Sequence, residues 1–146
     1  MSILLVTDMH TLRGARGAKV LVAEDHEDTR YLLRTILEQR GLSVIEAGNG
    51  FEAVDVAERE HPDLILMDGG LPLLDGIAAT RLLRRMPELS DIPIVFLSGH
   101  AGNKYQTAAL DAGCNEYVVK PFDIAGFERV LNRHLPEPVV RQKEGV

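Results

Sequence analysis

The chain of 146 residues has no tryptophan, a single cysteine and only 5% aromatic residues. One thiol, Cys114, forms no internal disulfide and supplies no metal-ligand set, so its expected role is small filler beside a helix end. Long apolar runs are missing as well. Stretches such as Leu64 to Met67 and Ile94 to Leu97 fall far short of the roughly 20 residues that span a bilayer, and no membrane crossing is expected. Basic residues are not in excess: the formal charge is -6, whereas phosphate backbones are bound by clustered Lys and Arg, which argues against direct nucleic-acid binding. Near the start, apolar Ile3 to Val6 precedes Arg13, Arg16 and Lys19, the reverse of a secretory signal, and a cytoplasmic location is expected. The remaining composition, 45% hydrophobic and 26% charged, suits one ordinary soluble domain.

From Lys19 to Leu135 short β-branched stretches alternate with longer stretches of helical period, the pattern of a parallel sheet between helices. The strand candidates are Lys19 to Ala23, Ser43 to Glu46, Asp63 to Met67, Ile92 to Leu97 and Glu116 to Val119. Leu64 to Met67 is apolar without alternation, which marks a strand covered on both faces. The helix candidates are Glu27 to Arg40, Gly50 to Glu60, Gly76 to Met86, Gly102 to Ala112 and Asp123 to His134, with Gly41 ending the first and Pro136 stopping the last. Residues 1–18 read as a leader, with an edge strand at Ile3 to Val6 as the alternative, and residues 136–146 as a solvated tail; 19–135 is the domain.

In open parallel sheets the ligand site lies beyond the carboxyl ends of the strands. Glu24 and Asp25 follow the first strand, Asp68 the third, Ser98 the fourth and Lys120 the fifth. Each alone reads as a helix cap or a solvated charge. Together, polar residues after four of five apolar strands point to one site. Close carboxylates repel unless a cation or a shared proton sits among them. All-oxygen ligation favours Mg²⁺ or Ca²⁺, and the absence of an EF-hand loop favours Mg²⁺. With no His or Cys counted at these strand ends, zinc or iron is not expected.

Val22-Ala23-Glu24-Asp25, Leu66-Met67-Asp68, Leu71-Pro72, Asp75-Gly76, Ser98-Gly99 and Val119-Lys120-Pro121-Phe122 resemble the response-regulator receiver family over about Lys19 to Leu135. The resemblance implies a flavodoxin-like fold with strand order 2-1-3-4-5. It also implies that Asp68 takes a phosphoryl group from the phosphohistidine of a histidine kinase or histidine phosphotransfer protein. By the same resemblance Glu24, Asp25, Asp68 and the Gly70 carbonyl hold Mg²⁺, Lys120 pairs with a phosphoryl oxygen and Ser98 donates to another. A cis bond between Lys120 and Pro121 is implied too, where the residues alone read as a trans proline opening the last helix.

In such domains Ser98 and an aromatic residue of the fifth strand, here Tyr117, switch a surface made by the fourth helix, fifth strand and fifth helix, where a downstream target or a second copy docks. Tyr117 reads equally as a packing residue. The chain departs from the family at Leu71, where Met is common, and at Gly69 and Gly70, which with His100 border the route of water to the phosphoryl group. His100 itself reads as a helix cap or a solvated side chain. The function expected is a stand-alone phosphoacceptor switch, with a phosphorelay intermediate or a piece of a larger regulator or hybrid kinase as the alternative. A turnover phosphatase is disfavoured because no second Asp stands two residues after Asp68. The complete set of site residues also disfavours a receiver that works without phosphorylation.

Overall fold

The computed structural model describes residues 17–135. Residues 1–16 and 136–146, and with them the expectations for Ile3 to Val6, most of the leader, Pro136 and the tail, lie outside the described residues. The elements run β1 (Lys19–Ala23), α1 (Glu27–Gln39), β2 (Ser43–Ala47), α2 (Gly50–Glu60), β3 (Leu64–Asp68), α3 (Gly76–Arg85), a 3-10 turn (Pro87–Leu89), β4 (Ile94–Ser98), α4 (Asn103–Ala112), β5 (Glu116–Val119) and α5 (Ile124–His134). Every strand pairing is parallel, and the order is β2-β1-β3-β4-β5, the flavodoxin-like arrangement anticipated. β1 pairs with both β2 and β3, so the winding reverses beside β1 and opens a crevice at the carboxyl ends.

Because successive strand residues point to opposite faces, the apolar strands feed two cores. Val20, Val22, Leu64, Leu66, Val95 and Leu97 meet Leu33 and Leu37 of α1 and Phe127, Val130 and Leu131 of α5. Leu21, Ile65, Met67, Ile94 and Phe96 meet Ala53 and Val56 of α2, Ala79 and Leu83 of α3 and Ala109 of α4. Asn49, Asp75 and Asp123 cap α2, α3 and α5, each accepting a first-turn N–H at 2.6–2.9 Å.

Several boundaries move by a residue or two. β4 begins at Ile94 rather than Ile92, since Pro93 has no N–H for the ladder. β3 begins at Leu64 and takes in Asp68, which is in register with Leu97, and Ser98 likewise extends β4 against Val119. β2 reaches Ala47, opposite Ala23. α1 stops at Gln39, and Gly41, at φ 83°, makes the left-handed turn behind it. α3 stops at Arg85 as Met86 goes extended ahead of Pro87, α4 opens one residue late at Asn103, and α5 begins at Ile124 behind its cap. Cys114 is buried just after α4, and burial pushes its thiol up to about 11, as suits a packing residue.

The β3–α3 loop is pinned to α2 by a backbone approach that only glycine allows. The Gly50 N–H donates to the Pro72 carbonyl at 3.4 Å, and a Cβ on Gly50 would lie 1.7 Å from the Leu74 carbonyl oxygen. Gly50→Ala is therefore expected to cost about 1–3 kcal/mol. Urea denaturation, with an unchanged slope and a lower midpoint, checks this.

Candidate functional site

The parallel register gathers the strand-end side chains at one rim. Glu24 and Asp25 follow β1, Asp68 closes β3, Ser98 closes β4, and Lys120 stands one residue past β5. The Lys120 Nζ is 2.9 Å from Glu24 Oε1 and 3.6 Å from Asp68 Oδ1. Glu24 is almost fully buried at 2% exposure, and its second oxygen accepts the His26 N–H and contacts His26 Nδ1, both at 3.1 Å. Arg30 donates to the Glu24 carbonyl at 2.8 Å and so ties α1 to this turn.

Charge at the rim is unbalanced, with three carboxylates around one ammonium. Burial alone would raise Glu24, but the Lys120 and His26 donors outweigh it and hold its carboxyl below the usual value. Asp68 goes the other way: burial and then the Glu24 charge raise it, and Lys120 at longer range only partly compensates. Asp25 Oδ1 is buried with no hydrogen-bond partner among the described residues, and His26 Nδ1 lies 3.2 Å from it. An orphaned carboxylate oxygen beside a destabilised carboxylate is what a divalent cation would satisfy, so these residues fit one. Ligand atoms of Glu24, Asp25, His26 and Asp68 all lie within 4.8 Å of one another.

His26 is the site residue that sequence reasoning passed over, and the statement that no His stands at these strand ends is corrected by it. Its signal was plain adjacency to Asp25 in the sequence; although it is the N-cap of α1, it makes no side-chain cap bond.

The two glycines after Asp68 differ. A Cβ on Gly70 would meet nothing within 4 Å, and the Gly70 N–H donates to Asp68 Oδ1 at 3.3 Å. A Cβ on Gly69 would meet the Tyr105 hydroxyl at 2.4 Å, so the space beside Gly69 is filled by an aromatic ring of α4 rather than left open. The His100 ring lies 4.5 Å from that of Tyr105. His100 does not cap α4, whose N-cap is Gly102 without a side-chain bond; it is exposed and its ring packs at a tilt of 35° against Tyr105 instead.

Ser98 is buried, and its Oγ accepts the His100 N–H at 3.1 Å. The Tyr117 hydroxyl donates to the His100 carbonyl at 2.6 Å, and its ring stacks 6.0 Å from that of Phe96. One peptide segment thus touches both the β4 hydroxyl and the β5 aromatic. The Lys120–Pro121 bond is cis. No described helix is long and apolar enough to cross a membrane.

A doubly wound sheet carrying an acid and lysine cluster beyond its strand ends defines an α/β domain built for phosphoryl or metal chemistry at a carboxylate. Residues 20–132 match the response regulator receiver domain model, and the chain belongs to that family. It is 34% identical over 116 residues to the polar-differentiation response regulator DivK of Brucella ovis, covering 80% of this chain and 94% of that protein. The receiver domain of sensor histidine kinase PA1611 from Pseudomonas aeruginosa, solved with a magnesium ion in its active-site cleft, superposes with a TM-score of 0.76 at 36% identity, covering 81% of this chain and 97% of that one. The beryllofluoride-activated receiver domain of Klebsiella pneumoniae RstA superposes at 0.76 with 29% identity, covering 82% and 99%. The chain is thus a receiver domain of two-component signalling, a family of switches phosphorylated on aspartate.

The raised Asp68 carboxyl has a sign that stability reports. Its folded-state value lies above its unfolded one, so the unfolded chain ionises first and stability is lost as pH rises through the folded value. Asp68→Asn removes that loss. The variant is expected to melt higher than the parent at neutral pH in the absence of divalent ions, with the gap closing below the ordinary aspartate range; thermal melts across pH check it.

Proposed function

We propose that Asp68 is the phosphoacceptor, and that the chain switches a protein-binding surface when Asp68 is phosphorylated. The observation that carries this reading is the placement of the Lys120 ammonium between buried Glu24 and Asp68, beside an Asp25 oxygen that lacks a partner. Asp25, Asp68 and the Gly70 carbonyl, with Glu24 behind them, would hold Mg²⁺. When bound, Mg²⁺ supplies positive charge against the phosphoryl oxygens.

Asp68 Oδ attacks the phosphorus of a phosphohistidine, the P–N bond breaks, an acyl phosphate forms and the imidazole leaves. Lys120 faces one phosphoryl oxygen as a point charge. Ser98 donates its hydroxyl proton to another, a role open to it because its Oγ at present only accepts. Drawing Ser98 toward the phosphoryl group pulls on His100, whose carbonyl holds Tyr117, so the rim is connected to β5 through one residue. The surface reached comprises α4, β5 and α5, where Leu110 and Val119 are exposed at 44% and 38%. A downstream protein or a second copy docks there. Hydrolysis of the acyl phosphate resets the switch, and no multiple turnover of small substrates is expected.

A second reading places the same chemistry in a relay or in a receiver belonging to a larger sensor. It is favoured by the likeness to the PA1611 domain, which is part of a sensor histidine kinase.

Incubation with acetyl phosphate and Mg²⁺ is expected to add about 80 Da to the intact mass. Omission of Mg²⁺ or the Asp68→Asn substitution abolishes the gain, and Lys120→Ala reduces it strongly. Undiminished labelling of Asp68→Asn would overturn the assignment.

A further inference from the structure

The proposed cation site, on whose reading the following rests, carries a nitrogen donor as well as oxygens. His26 follows Asp25 directly, and its Nδ1 stands 3.1 Å from Glu24 Oε2 and 3.2 Å from Asp25 Oδ1. Its ring is otherwise free, with the side chain 74% exposed. An ion with bonds of about 2.1 Å sets neighbouring ligands about 3 Å apart and opposite ones about 4.2 Å apart. The His26 spacings match the first figure, and the limit of 4.8 Å across the four residues admits the second. Lys120 already engages one Glu24 oxygen, which leaves Asp25, Asp68 and His26 as the set facing a single ion.

From this geometry we infer that His26 is a ligand for divalent transition ions, so that the rim binds a borderline ion such as Ni²⁺ through nitrogen and oxygen, and Mg²⁺ through oxygen alone. Imidazole is a preferred donor for zinc, copper, nickel and iron, whereas Mg²⁺ keeps to carboxylate, carbonyl and water. The Asp25 oxygen that accepts no hydrogen bond among the described residues is the anchor common to both ions. His26 thereby sets which metal occupies the site without taking part in phosphoryl transfer.

Titration calorimetry of the chain with NiCl₂ and with MgCl₂, repeated on His26→Ala and Asp25→Asn, tests this. His26→Ala is expected to weaken Ni²⁺ about tenfold or more while Mg²⁺ shifts less than about twofold. Asp25→Asn weakens both. The inference is overturned if His26→Ala leaves Ni²⁺ binding unchanged, if it weakens the two ions equally, or if Ni²⁺ binding survives Asp25→Asn, which would place the ion at another histidine. In those cases His26 is only the ion-pair partner of Glu24, and the phosphoacceptor reading stands. A chain that binds neither ion overturns both the inference and the cation site beneath it. Because His26 is exposed, its substitution leaves the core packing intact.

Discussion

The ion pair between Lys120 and Glu24 is the interaction on which the rest of the rim depends. Three carboxylates meet at the ends of β1 and β3, and one of them is almost fully buried. A buried carboxylate without a cation is costly, and removing one partner of such a pair strands the other. Lys120, at 2.9 Å, supplies the cation and comes from the far end of the chain. The pair neutralises Glu24 and leaves Asp68 under-compensated, so that a surplus of negative charge sits at the end of β3. The fold stores this imbalance as an affinity for positive charge.

The sheet makes that arrangement possible by paying out side chains in two directions. Alternate residues of β1, β3 and β4 fill two separate cores, while the polar residues at or just past their carboxyl ends, Glu24, Asp68 and Ser98, belong to neither. The polar rim is thus supported by an apolar floor on both faces, which fixes the rim residues to a narrow range of positions. Gly50, pressed against the Leu74 carbonyl, and Arg84, which reaches the carbonyls of Gly113 and Ile92 and the Asn115 side chain, hold the surrounding loops to the same frame.

One side of the rim is linked to the α4–β5 surface through a short path. His100 gives its N–H to Ser98 and its carbonyl to Tyr117, while its ring rests on Tyr105, and Tyr105 fills the space that Gly69 vacates next to Asp68. The sequence showed Gly69 as a departure bordering the route of water, and His100 as a helix cap or a solvated side chain. In three dimensions Gly69 and Tyr105 are complementary: the side chain missing just past β3 is replaced by a ring from α4. No local pattern encodes such an exchange, because the two residues are separated by a whole strand and a helix.

The element order and parallel class, the two-faced burial of β3 and the strand-end acids, hydroxyl and lysine were legible in the sequence, because each follows from local periodicity and from residues standing at its breaks. Strand boundaries drifted where backbone pairing, as at Asp68 and Ser98, or a proline, as at Pro93, overrode side-chain pattern. The tertiary structure alone decided which oxygens are paired and which are orphaned, and that the His26 ring turns back to the acids rather than capping α1. It alone decided too that Tyr105 closes over Gly69. Those facts depend on distances of a few ångströms between residues far apart in the chain, and hydrogen bonds and charges act only at such distances, whereas hydrophobic periodicity is written along the chain itself.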